Sequence, residues 1–187
     1  MENAAPGGAG TARTVDVQCC IVGGGPAGMM AGFLMARAGV KVAVLEKHGD
    51  FLRDFRGDTI HPSTLELMYE LGILQEFLQR PHQEVREVRF SIAGEEYRFA
   101  DFSHVPTHCK FVALMPQWDF LNFIAEHAQR LPGFTLHMKT EGTGLIEEGG
   151  HVVGVRAMTA QGEVEFRAKL VIGADGLFSK VRDTVFP

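Results

Sequence analysis

Apolar residues run from 15 to 22 with only Asp16 and Gln18 between them, a pattern that predicts a buried strand of a parallel sheet. The period then changes. Met29, Met30, Phe33, Leu34 and Ala38 recur at helical spacing behind Pro26, and a proline at a helix start sacrifices no hydrogen bond. Gly39 stands where a helix ends, and apolar residues return at 40–45 as a second strand. Strand, helix and strand make one βαβ unit of about thirty residues.

Beyond this unit the pattern is mixed. Residues 48–59 read as a charged, irregular loop. Residues 61–70 and 73–78 predict short helices broken at Gly72, with Leu65, Met68 and Leu71 facing inward. Alternation over 84–102 predicts a hairpin turning at Gly94-Glu95. A short strand at 111–115 leads into an amphipathic helix at 116–130, with Phe120, Phe123, Ile124 and Ala128 on one face, and then a strand at 134–139. Three strands at 142–147, 151–160 and 162–167, joined at Gly149-Gly150 and Gln161-Gly162, form an antiparallel meander. A buried strand at 169–173 and a helix over 177–185 complete the pattern. The fold class is α/β, a parallel-sheet framework interrupted by two antiparallel insertions.

Composition narrows the function classes. The 187 residues are 45% hydrophobic and 22% charged, those of an ordinary globular domain with a sizeable core. A net charge of −5 argues against a nucleic-acid partner, and the small clusters Arg53/Arg56 and Lys180/Arg182 suit small-molecule phosphates better. Cys19, Cys20 and Cys109 form no CxxC, so they read as buried, reduced thiols that fit a cytoplasmic setting. Residues 19–36 carry no charge, but the Gly-Gly-Gly-Pro break makes them strand, turn and helix, not a transmembrane segment. Residues 1–14 read as a loose Ala/Gly-rich tail without the regions of a signal peptide. No metal site is expected. His61 reads as a helix-opening residue. Asp101, His104 and His108 make a triad only on paper, since no nucleophile elbow accompanies them.

Two motifs carry chemistry. In Gly23-Gly24-Gly25-Pro26-Ala27-Gly28 the first glycine permits a tight turn out of the strand. The second lets backbone approach a pyrophosphate, and the third lets the helix pack on the sheet, whose N-terminal N–H groups favour phosphate. Glu46 ends the second strand about twenty residues later, where a carboxylate accepts from ribose hydroxyls and disfavours a 2′-phosphate. The motif alone does not choose between FAD and NAD, and its alternative is a glycine-rich turn with a solvated Glu46. The second motif, Gly173-Ala174-Asp175-Gly176, follows an apolar run and precedes Ser179 and Arg182. Alone it reads equally as a plain strand-to-helix turn. A fold that brings both strand ends to one edge can grip one long cofactor at two points, and FAD is such a cofactor.

Together with Arg56-Gly57-Asp58-Thr59 and the run from Gly173 through Leu177, Phe178 and Lys180 to Val181-Arg182, these motifs resemble the flavin-dependent aromatic hydroxylases. Those are the single-component monooxygenases typified by para-hydroxybenzoate hydroxylase, and the resemblance runs from residue 15 onward over the N-terminal half of such an enzyme. It implies a Rossmann-like FAD-binding domain at 15–81 and 105–187, with a parallel sheet and an antiparallel meander crossover. It places part of a second, substrate-binding sheet at 82–104. It implies FAD as cofactor, NAD(P)H as reductant and a small aromatic or related substrate. Gly23, Gly25, Pro26, Ala27 and Gly28 then meet the FAD pyrophosphate and Glu46 the adenosine ribose, with Lys47 beside it. Arg56 meets the pyrophosphate and helps NAD(P)H, Gln117 lies beside the flavin's linking chain, and Asp175 and Gly176 serve both cofactors. No side chain is expected to act as a covalent catalyst. The rival expectations are a flavin-dependent reductase or halogenase on the same fold, and a non-catalytic nucleotide-binding fragment. The chain alone is expected to be incomplete and inactive.

Overall fold

The computed structural model describes residues 13–52 and 58–186. In chain order it begins with β1 (Arg13–Asp16), β2 (Cys19–Val22), α1 (Pro26–Arg37) and β3 (Val42–Leu45). There follow β4 (Thr59–Ile60), α2 (Pro62–Glu70), α3 (Leu74–Phe77), β5 (Gln83–Val85), β6 (Glu87–Ile92), β7 (Glu95–Asp101), β8 (Val112–Leu114) and α4 (Gln117–Ala128). Last come β9 (Phe134–His137), β10 (Glu141–Glu148), β11 (His151–Thr159), β12 (Gly162–Arg167), β13 (Leu170–Gly173) and α5 (Lys180–Val185). The chain forms two compact units, one of Met1–Asp50 with Ile124–Pro187 and one of Phe51–Phe123.

The first unit stacks a parallel sheet, ordered β13-β2-β3-β9, on a meander sheet ordered β1-β12-β11-β10. Strand alternation explains the stacking. Cys20, Val22, Ala43 and Leu45 project to one face and pack with Leu145, Val155, Ala157, Val164 and Phe166 of the meander. Ile21 and Val44 project to the other face, where α1 lies: a Cβ on Gly32 would come within 2.7 Å of Val44 Cγ2 and 3.7 Å of Ile21 Cδ1. Helix α1 ends as its sequence requires. Gly39 adopts φ +83, its N–H donates to Ala36 O, and the Val40 N–H donates to Met35 O, closing a Schellman cap.

Two expectations need correction here. Residues 15–22 are not one strand but parts of two, β1 in the meander sheet and β2 in the parallel sheet. One backbone row cannot hydrogen-bond in two stacked layers, so partners change: the Val17 N–H still donates to Arg167 O, whereas those of Gln18 and Cys19 donate to Lys41 O. Strand β13 is also less buried than its apolar sequence suggests, with Leu170 47% exposed, because among the described residues β2 is its one strand neighbour.

In the second unit, β4, β8 and β5 form a small antiparallel sheet, and Leu65, Met68 and Phe77 are fully buried. The expected 84–102 hairpin divides at Arg86: Gln83–Val85 pairs with β8, while β6 and β7 form the hairpin. Its turn falls at Ala93-Gly94, one residue early, because a two-residue turn of this hand needs positive φ at both positions, observed as 52 and 88. In helix α4, Phe120, Phe123, Ile124 and Ala128 are all buried as the pattern demands.

Candidate nucleotide-binding site

The two glycine motifs meet. Val22 ends β2 beside Gly173 of β13, the Ala174 N–H donates to Val22 O at 2.7 Å, and the Gly23 N–H donates to Leu45 O at 2.8 Å. Gly23 has φ +110, and a Cβ there would lie 2.3 Å from Ala174 O, so the close approach of the two turns excludes any side chain. A Cβ on Gly28 would strike Gly23 O at 1.9 Å, and one on Gly24 would lie 2.8 Å from Glu46 Cβ. Gly25 differs. It is the N-cap of α1 in extended conformation, and a Cβ there would meet no atom within 4 Å. Three glycines are thus required by the protein's own packing, and the fourth faces open space at a helix start. The first turn of such a helix offers N–H groups without intrahelical acceptors, a favourable setting for phosphate.

Glu46 is buried, at 8% exposure, and joins β3 to the glycine turn. Its Oε2 accepts from the Gly24 N–H at 3.1 Å and its Oε1 from the His48 N–H at 2.9 Å. These two bonds fix the carboxylate beneath the glycine turn. Lys47 follows on the exposed surface.

In the second turn, Asp175 is engaged locally. Its Oδ1 accepts from Ser179 Oγ, and its Oδ2 accepts from the N–H groups of Lys180 at 2.7 Å and Val181 at 3.4 Å. Ser179 caps α5 by accepting from the Arg182 N–H at 3.0 Å, and Arg182 Nη1 donates to Leu177 O at 2.9 Å. Gly176 takes φ +85 within this turn. The carboxylate thereby shapes the turn that abuts Gly23.

Sequence reasoning missed Glu141. Lys180 Nζ donates to its Oε1 at 2.6 Å, tying α5 to β10. This bond and the Lys180 charge, helped by Lys47 and His48, hold the Glu141 carboxyl below the usual range. Nothing in the local sequence marks it, since its partner is 39 residues away. Gly32 was also missed, although its spacing of one helical turn from Gly28 on the sheet-facing side was available.

The remaining candidates fall elsewhere. Arg56 lies outside the described residues. Gln117 opens α4, and its backbone N–H donates to Asp58 Oδ1 at 3.3 Å. His61 is the N-cap of α2 without a side-chain capping bond. His104 Nε2 lies 3.9 Å from Asp101, but His108 pairs with Glu66 at 2.8 Å and stacks on Tyr69 with ring centroids 3.4 Å apart, so the paper triad does not assemble. All three cysteines are buried and free. Burial, then the neighbouring Cys19, pushes the Cys20 thiol up to about 12, and burial also raises Cys19 and Cys109. No described group of His, Cys, Asp and Glu could hold a metal ion, and no described helix is long and apolar enough to cross a membrane.

Known proteins resemble this chain in sequence and in fold. A 6-methylpretetramide 4-monooxygenase from Streptomyces rimosus is 34% identical over 163 residues, which is 87% of this chain and 39% of that protein. A geranylgeranyl diphosphate reductase from Rhodobacter capsulatus is 32% identical over 170 residues, 88% of this chain and 39% of that protein. In fold, the crystal structure of p-nitrophenol 4-monooxygenase from Pseudomonas putida DLL-E4 superposes with a TM-score of 0.81 at 24% identity, over 93% of this chain and 44% of that one. The chain therefore spans less than half the length of each. Residues 16–186 match the family described as FAD binding domain, and with both of its glycine turns converging at one sheet edge the chain belongs to that family.

Proposed function

We propose that this chain is the FAD-binding part of an NAD(P)H-dependent monooxygenase that hydroxylates an aromatic or related small organic substrate. The observation that carries the reading is the junction of the two turns, with Glu46 buried beneath Gly24 and open space at Gly25. The residues present suit FAD. Gly23, Gly25, Pro26, Ala27 and Gly28 form the phosphate turn, since the open side at Gly25 leaves room beside helix N–H groups. Glu46, the acidic residue that ends the second strand of the βαβ unit, accepts from the adenosine ribose, and Lys47 flanks it. Asp175 and Gly176 hold the second turn in register. Arg56 and Gln117 keep the roles that the family resemblance gives them. The bound flavin supplies the electron transfer and oxygen chemistry, while these residues bind it and orient it. Buried, protonated thiols are consistent with the reducing cytoplasm.

FAD titration of the 187-residue chain, followed by flavin fluorescence, tests the reading. FAD is expected to bind and FMN, lacking the adenosine half, to bind far more weakly. Equal affinity for the two would remove the adenosine site from Glu46. A second reading is favoured by the diphosphate reductase relative: the same FAD site serving a reduction. NAD(P)H consumption without oxygen uptake, measured in a protein carrying this domain at full length, would select it.

A further inference from the structure

A cleft of about 780 Å³ in the first unit uses none of the residues of the glycine turn, Glu46 or the second turn. That volume is within the roughly 300–1,000 Å³ of small-molecule sites. Its walls come from β1, the segment that follows β9, and the turn between β11 and β12. Val15 and Phe166 supply apolar lining, and the half-buried His137 ring stands edge-on to Phe166 with centroids 4.9 Å apart. Burial, then the Arg13 charge, pushes the His137 imidazole below its usual range, so it offers one neutral donor or acceptor.

Two cations line the cleft, Arg13 and Lys139, and among the described residues neither is ion-paired. Lys139 is also one of two described non-glycine residues with positive φ, at 52. The conformation is held by its N–H donating to His48 O and by the Thr140 N–H donating to Glu46 O. Glycine would serve that backbone better, so a lysine kept there at a cost in strain points to a use for its charge. Glu163 is the one carboxylate in the lining.

We propose that this cleft binds a phosphate monoester carried on a nucleoside-sized body. A dianion matches a guanidinium fork plus an ammonium, where a monocarboxylate would leave one cation unmatched. The apolar lining receives the body, and Glu163 accepts from a hydroxyl or amine while repelling a second anionic group.

Calorimetric titration of the 187-residue chain with AMP, and separately with inorganic phosphate, tests the site. AMP is expected to bind at least about tenfold more tightly than phosphate, and Arg13→Gln and Lys139→Gly each to weaken it about tenfold or more. Lys139→Gly should leave the melting temperature unchanged or raised, which separates lost binding from lost folding. AMP binding should persist in Glu46→Gln, where only the adenosine site of the FAD reading is weakened, and the His137 ring signals should move on titration. The proposal is overturned by absence of AMP binding, by binding that survives Arg13→Gln and Lys139→Gly, or by phosphate binding as tightly as AMP. AMP binding abolished by Glu46→Gln would instead assign AMP to the glycine turn, and would overturn the cleft while leaving the FAD reading intact.

Discussion

Alanine at Gly25 and at Gly28 should separate folding from cofactor binding. At Gly28 the added Cβ would sit 1.9 Å from the carbonyl oxygen of Gly23, a backbone atom, and 3.3 Å from Ala174 Cβ. A carbon and an oxygen normally stay more than about 3 Å apart, so the start of α1 must lift from both turns, an overpacking expected to cost about 1–3 kcal/mol. For a chain of this size each kcal/mol lowers Tm by about 2–4 °C. At Gly25 the Cβ meets nothing within 4 Å, and φ is −73, which any residue adopts. The reduced entropy of the unfolded chain and the poorer N-cap then offset each other, leaving stability within about 1 kcal/mol of the parent. The new methyl nevertheless occupies the side where phosphate is placed. Thermal unfolding by circular dichroism and FAD titration by fluorescence should show Gly25→Ala folded but at least about tenfold weaker for FAD, a loss of roughly 1.4 kcal/mol. Gly25→Ala with parent FAD affinity would refute the placement of the pyrophosphate, and an unperturbed melting curve for Gly28→Ala would refute the close-approach argument.

Glu46→Gln should weaken FAD binding by about 1–3 kcal/mol, because the charge-assisted bonds to ribose are lost, and unchanged affinity in the same titration would make Glu46 purely structural. Asp175→Asn should destabilise α5 by about 0.5–2 kcal/mol, the scale of a lost cap, read as faster amide exchange over Lys180–Val185; unchanged exchange would contradict its capping role. The Glu141 carboxyl is held below its usual range by Lys180, so its contribution is present above the unfolded carboxylate pKa and is lost as pH falls through the lower folded value. The pair is half-exposed, which limits the effect to at most about 1 kcal/mol, and Glu141→Gln should flatten the acid limb of stability against pH; an identical limb would rule out the linkage. The thiols of Cys19, Cys20 and Cys109 should resist a disulfide reagent at pH 8 in the folded chain and react fully in urea, whereas stoichiometric labelling of the native protein would contradict their burial.

Local chemistry was legible wherever neighbours in sequence are neighbours in space. The βαβ unit, Pro26 opening α1, Gly39 closing it, and the meander turns all follow from period and turn chemistry within a few residues. The two motifs were readable for the same reason, since a glycine turn carries its own backbone requirement. What sequence could not decide was partnership. The run at 15–22 has one apolar pattern, yet it serves two sheets, because the exchange of partners at Gln18 depends on Lys41, Arg167 and Lys169 arriving from elsewhere. Strand β13 looks buried in sequence and is partly exposed in place, since burial belongs to neighbours and not to composition. The tie between Glu141 and Lys180, the diversion of His108 to Glu66, and the closeness of Gly23 to Ala174 all join residues distant along the chain. Sequence determined which segments could turn, extend or coil. Only the tertiary structure decided which of them met, because side-chain period acts over a few residues while hydrogen-bond and packing partners are set by how the layers stack.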